Sequence, residues 1–344
     1  MTNKILSDPR IDPRIKAMFG AMPQAEPATN VASREAQLAE EATPEAQQRA
    51  AAQLAFMQML DNDQVAPSAG LETRTETFKS SPDGNEIKIQ FIRPADGERL
   101  PCVYYIHGGG MMMMSAFDGM YRSWGRIIAR QGVAVAMVDF RNCLRASSAP
   151  EVAPYPAGLN DCVSGLKWVR ANAERLGIDA SRVVVAGESG GGNLALAVGL
   201  ALNRAGESGL VKGLYAFCPY IAGEWPQDRY PSSTQNNGLL LDLHSNRGAM
   251  AYGIEALEAR DPLAWPAFAT EADVKGFAPT VISVNECDPL RDEGIEFYRL
   301  LLRAGVASRC RMAVGTIHGT EVFAIACPDI SVAAARDLAN FATD

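Results

Sequence analysis

A chain of 344 residues, 47% of them hydrophobic and 21% charged, is long enough to bury a sizeable core, as one large α/β domain or two small ones. Its formal charge of −8 excludes a nucleic-acid surface, which needs clustered Lys and Arg to neutralise phosphates. Seven cysteines without CxxC spacing and three scattered histidines exclude a zinc site and predict reduced thiols. The N-terminal stretch carries charge and proline where a signal peptide is apolar, and no run reaches the roughly 18 apolar residues of a membrane span. A cytoplasmic protein without membrane insertion is the expectation.

In chain order, Thr43-Pro44 is an N-cap followed by proline at the first helical position, and Leu54, Met57 and Leu60 share one side of the helix that follows. The run Ala66 to Gly70 is the best linker candidate. Ile87, Ile89 and Phe91 alternate as in a half-buried strand, and Cys102 to Ile106 is a short apolar run. Met120, Trp124, Ile127 and Ile128 make a helical face that stops before Gly132, and Val133 to Val138 forms the next strand. A longer helix carries Leu159, Cys162, Val163, Leu166, Val169, Ala173 and Leu176, with Gly177 as its C-cap. Val183 to Ala186, Leu210 to Phe217, Thr280 to Val284 and Cys310 to Val314 complete the strands, with an apolar helix from about Asn193 to Leu202. This alternation predicts an α/β fold, a mostly parallel central sheet flanked by helices on both faces. Ala222 to Arg260 breaks the rhythm, with a helix expected from His244 to Leu257, and such an insertion above a sheet suits a lid.

Gly187-Glu188-Ser189-Gly190-Gly191 is the one G-x-S-x-G, and it lies between a strand and a helix. A sharp turn there leaves a serine hydroxyl exposed at the top of the sheet, which makes Ser189 the candidate nucleophile. His107-Gly108-Gly109-Gly110 follows the Cys102 to Ile106 strand. Backbone amides of Gly109, Gly110 and Gly190 could hold the oxyanion of an acyl transfer. A serine needs a base, and His318, after the last strand, is placed to reach the elbow; His107 braces the glycine loop and His244 lies in the insertion. Asp288 is the candidate partner of His318, with Glu286 and Asp292 as rivals, Asp292 being better suited to open the next helix. Asp139 and Arg141 read as a structural pair, and Met111 to Met114 reads equally as pocket lining or packing. Neither a dinucleotide fingerprint nor a P-loop is present, so nucleotide binding is not expected.

With these residues in hand, the chain resembles the bacterial hormone-sensitive-lipase-like esterases. The likeness is carried by HGGGM at His107 to Met111, VDFRN at Val138 to Asn142, GESGGGN at Gly187 to Asn193, DPLAWP at Asp261 to Pro266, VNECDPLRDEGI at Val284 to Ile295 and the His318-Gly319 pair. The resemblance implies an α/β-hydrolase fold with a helical cap made by residues 1–70 and 222–260, the catalytic domain being 71–221 and 261–344. It implies the triad Ser189, Asp288, His318, the oxyanion amides already named, and cofactor-free hydrolysis of short-acyl or lactone-type esters. It also implies a homodimer, although no interface pattern in the sequence marks one. Many members carry Asp-Ser-Ala in the elbow where this chain has Glu188-Ser189-Gly190; Glu188 stands at the variable position. An amidase or acyltransferase with the same triad, or a non-catalytic ligand-binding protein on the same fold, are the alternatives.

Overall fold

The strands are β1 (Leu71–Lys79), β2 (Glu86–Pro94), β3 (Leu100–Ile106), β4 (Ala134–Asp139), β5 (Ile178–Glu188), β6 (Gly213–Phe217), β7 (Thr280–Asn285) and β8 (Ser308–Ala313). In the computed structural model, which describes residues 3–20, 27–97 and 99–344, they form one sheet in the order β1-β2-β4-β3-β5-β6-β7-β8. β1 pairs antiparallel with β2 and β2 antiparallel with β4; every other pairing is parallel. Alternate residues of the parallel strands enter two separate cores. Tyr104, Ile106, Val185 and Ala216 face one, with the helices Ala157–Ala171, Gly190–Arg204 and Arg291–Arg303. Val103, Tyr105, Val184 and Ala186 face the other, with Gly119–Ala129 and Pro328–Thr343. Helices on both faces are why these strands read as unbroken apolar runs.

Several expected elements take a different form. β1 carries the polar sequence LETRTETFK on the sheet edge with most of its residues solvated, so it has no apolar run to betray it. The helix expected to continue to Leu176 stops at Ala171 and restarts at Ala173, before Gly177 in the left-handed region closes it. The helix expected at His244 to Leu257 is two short ones, Arg247–Tyr252 and Ile254–Glu258, separated by Gly253. Ala66 to Gly70 is no free linker: Ala66 is wholly buried, its carbonyl accepts Arg126 Nε at 2.7 Å, and Ala69 O accepts Arg130 Nη1 at 3.1 Å.

The N-terminal segment is stitched to the insertion. Lys4 Nζ donates to Asn237 O (3.0 Å), Arg10 Nη2 to Asn236 Oδ1 (3.0 Å), Val31 N to Asn246 Oδ1 (2.8 Å) and Arg247 Nε to Thr29 O (2.8 Å). The insertion is in turn tied to the helix Arg291–Arg303 by a buried carboxylate. Glu293 Oε1 accepts Ile221 N (2.7 Å) and Ala222 N (3.2 Å), and Oε2 accepts the Trp225 indole N–H (2.6 Å). Burial pushes this carboxyl up to about 8, against the pull of the three donors. Glu293→Ala leaves all three without an acceptor, and a loss of about 3–5 kcal/mol in urea-unfolding stability is expected. A loss below about 1 kcal/mol would show that water replaces the carboxylate at no net cost.

Candidate active site

Ser189 sits between β5 and the helix Gly190–Arg204 with φ 57° and ψ −119°, a conformation non-glycine residues rarely adopt. Strain of this kind persists only where its surroundings impose it. Here Ser189 N donates to Phe217 O (2.9 Å), while Ser189 O accepts Asn193 N (3.0 Å) and Tyr220 N (3.1 Å). The turn is possible because backbones touch. A Cβ on Gly191 would lie 2.0 Å from Ile106 O, and one on Gly190 would lie 2.6 Å from Met111 N. The helix begins at Gly190, three residues before the apolar pattern starts, because those three positions serve close approach rather than the core.

The loop after β3 faces this turn. Gly109 and Gly110 have φ +89° and +65°. The loop is fixed through its carbonyls: Gly109 O accepts Met112 N (3.0 Å), Met111 O accepts Cys143 N (2.9 Å), Met112 O accepts Arg145 N (2.8 Å) and Met114 O accepts Asn142 Nδ2 (2.8 Å). The four methionines therefore form a turn, not a helix start, with Met111 buried and the other three half-buried. His107 braces the loop, Nδ1 contacting Gly108 O at 3.0 Å and the ring stacked on Phe140 at 4.3 Å. Burial holds its imidazole below the usual range.

At the ends of β7 and β8, His318 Nδ1 meets Asp288 Oδ2 at 2.8 Å, and Asp288 Oδ1 accepts Leu290 N at 2.9 Å. Burial pushes the His318 imidazole down, but the Asp288 carboxylate outweighs it and the net shift is well upward. The His318 loop is pinned to β7 and the N-terminus: Gly315 N donates to Glu286 Oε2 (2.8 Å), Cys287 N to Thr316 O (2.9 Å) and Asp12 N to Gly315 O (2.9 Å). The rival groups are occupied elsewhere. Glu286 holds Gly315, Asp292 accepts Ser232 N (2.7 Å) in the first turn of its helix, and His244 Nε2 contacts Ser233 O (2.9 Å) in the insertion.

Asp139 and Arg141 do not pair with each other. Arg141 binds Asp161 through Nε (2.9 Å) and Nη2 (3.0 Å), while Asp139 accepts Ala116 N (2.7 Å) and Ser148 N (2.7 Å). Ala116 lies 23 positions before Asp139, Ser148 9 after it and Asp161 20 after Arg141, separations that local sequence does not disclose.

Three further side chains border the site. Cys218, at the end of β6 with φ 34°, lies with its sulfur within 4.8 Å of Asp288 and His318 ligand atoms. Burial pushes this thiol up to about 11, so it faces the pair as neutral S–H. Tyr105 and Tyr121 both donate to Glu188, which is fully buried beside the elbow serine. Burial pushes the Glu188 carboxyl up to about 7, while the two phenols and His318 pull it back. No sequence signal marks these side chains; each becomes significant only through packing.

A family model described as alpha/beta hydrolase fold matches residues 103–322. The chain belongs to the α/β-hydrolase family. Esterase Est22 shares 63% identity and a TM-score of 0.96, each chain 99% covered, and it has also been solved with p-nitrophenol. Brefeldin A esterase, a bacterial homologue of human hormone sensitive lipase, shares 36% identity at a TM-score of 0.83, covering 98% of this chain and 94% of that one. Carboxylesterase NlhH of Mycobacterium tuberculosis is 32% identical over 282 residues, 80% of this chain and 83% of its own length. This chain is accordingly a hydrolase acting on carboxylic esters, in the hormone-sensitive-lipase-like branch of the family. Among the described residues no helix is long and apolar enough to cross a membrane.

Proposed function

We propose that the enzyme hydrolyses short-acyl or lactone-type carboxylic esters through Ser189, His318 and Asp288 by way of a covalent acyl-enzyme. His318 takes the Ser189 proton as the hydroxyl attacks the ester carbonyl. The carbonyl oxygen, now an anion, is held by the amides of Gly109, Gly110 and Gly190. His318 gives its proton to the departing alcohol, then activates a water that releases the acid. Asp288 keeps the imidazole in the right tautomer and stabilises its charge. The 2.8 Å Asp288–His318 contact carries this reading, since it lies beyond the C-terminal ends of the parallel strands, as does a serine held at φ 57°.

The described parts of residues 1–70 and the 222–260 insertion form a cap, supported by the hydrogen bonds that stitch the two together. The p-nitrophenol seen with Est22 supports a site that accepts a small aromatic leaving group. A homodimer rests on the family resemblance, and sedimentation at micromolar concentration tests it.

An organophosphate ester with a p-nitrophenol leaving group tests the nucleophile directly. One equivalent of p-nitrophenol should be released per chain, with the phosphoryl group recovered on the peptide containing Ser189. Label on another residue would defeat the triad assignment. Comparing acetyl, butyryl and dodecanoyl p-nitrophenyl esters with a γ-lactone then tests the substrate class; fastest turnover on the dodecanoyl ester would overturn it.

A further inference from the structure

Glu188 is the middle residue of a buried relay that runs from the elbow to the oxyanion loop. Its Oε2 accepts the Tyr105 hydroxyl at 2.6 Å and its Oε1 accepts the Tyr121 hydroxyl at 2.5 Å. Tyr121 Oη in turn accepts the backbone N–H of Gly108 at 2.9 Å. The carboxylate also presses on the loop itself, for a Cβ on Gly108 would lie 2.2 Å from Glu188 Oε1. A phenol has one proton to give. With the Tyr121 proton given to Glu188 rather than to the Met114 sulfur 3.6 Å away, a lone pair of the phenol faces the Gly108 N–H, and a carboxylate offers one acceptor oxygen to each of the two phenols.

We propose that Glu188 is a positioning residue: through Tyr121 it fixes the Gly108 amide and so aims the donors of Gly109 and Gly110 at the carbonyl that Ser189 attacks. This rests on the assignment of Ser189 and the glycine loop made above. The elbow thus does two things through adjacent residues. Ser189 supplies the nucleophile, and Glu188 sets the loop that receives the charge the nucleophile creates. Because the next link is a backbone amide rather than a side chain, the relay acts on geometry alone, and its effect belongs in the tetrahedral state more than in substrate binding.

Glu188→Gln keeps the shape and removes the charge. The two phenols donate to different oxygens, and in the amide one of these becomes an NH2 group that cannot accept; one tyrosine must turn its hydroxyl, and the Gly108 bond weakens. With rates normalised to active sites by organophosphate titration, kcat on p-nitrophenyl butyrate should fall by about 10- to 100-fold with KM within twofold. Binding of a trifluoromethyl ketone, which forms a tetrahedral adduct with the serine, should weaken by a similar factor. Tyr121→Phe should do the same, and the double variant should be little worse than either single one, because both cut one chain. A purely structural role would lower the number of titratable sites and leave per-site kcat and ketone affinity untouched, which overturns the proposal, as would full additivity of the two substitutions. Ser189→Ala run alongside separates the two readings. If it retains wild-type turnover the nucleophile assignment fails; if it is inactive while Glu188→Gln is normal per site, only the positioning role fails.

Discussion

Replacing Ser189 with alanine should lower kcat on p-nitrophenyl butyrate by about 10⁴-fold or more, while thermal unfolding shifts little. The alanine can occupy the same φ of 57° at no greater cost than serine, and the three backbone hydrogen bonds that hold the elbow do not involve the side chain. What disappears is the acyl-enzyme route itself. The loop amides and the bound ester remain, so a residual rate by direct water attack is expected above the uncatalysed one. A variant within tenfold of wild type would remove Ser189 from the mechanism, whatever its conformation.

Asp288→Asn should cost about 10³- to 10⁴-fold in kcat, and it should also move the pH profile. Asp288 is fully buried with one oxygen on His318 Nδ1 and the other on Leu290 N, so its amide replacement meets two N–H groups with only one acceptor. If the amide nitrogen turns to His318, Nδ1 becomes the acceptor and Nε2 keeps the proton, which is the wrong tautomer for a base. The pH effect has a definite sign. His318 must be neutral to accept a proton, and the carboxylate raises its pKa above 6.5 against the opposing effect of burial. In wild type kcat/KM should therefore fall as pH drops through a value above 6.5. In the Asn variant the Asp288 charge that opposes burial is gone, leaving Cys218 as the other upward influence, and the acid limb should move to lower pH. An unchanged limb would mean that some other group controls it.

How much of this was legible follows from where each residue's partners lie. β3, β4, β5, β6 and β7 could be found because strands covered on both faces are apolar throughout, and the elbow could be found because a strand, a glycine-flanked serine and a helix follow one another within a dozen residues. The placement of Ser189, Asp288 and His318 was readable for the same reason, each residue standing just after a strand. β1 was not, since an edge strand that solvates Glu72, Thr73 and Thr75 carries a polar sequence. Ala66 looked like part of a linker because its burial depends on Arg126, sixty residues away. Glu188 is the variable letter of a motif whose pattern specifies only its neighbours. Its importance comes from Tyr105 and Tyr121, 83 and 67 positions distant, and no local periodicity encodes such a meeting.

The N-terminal clasp has a consequence for how the molecule is made. Asp12 holds Gly315 at the base of the His318 loop, and Arg14 reaches Asp329, 315 positions later in the chain. At translation rates of roughly 5–20 residues per second, this segment waits on the order of 15 to 60 s before its docking surface exists. During that interval its apolar residues Ile5, Ile11, Ile15 and Phe19, all buried in the finished molecule, have nothing to cover them. A segment made early is thus placed late, and its hydrophobic residues stay exposed until the His318 loop emerges to receive them.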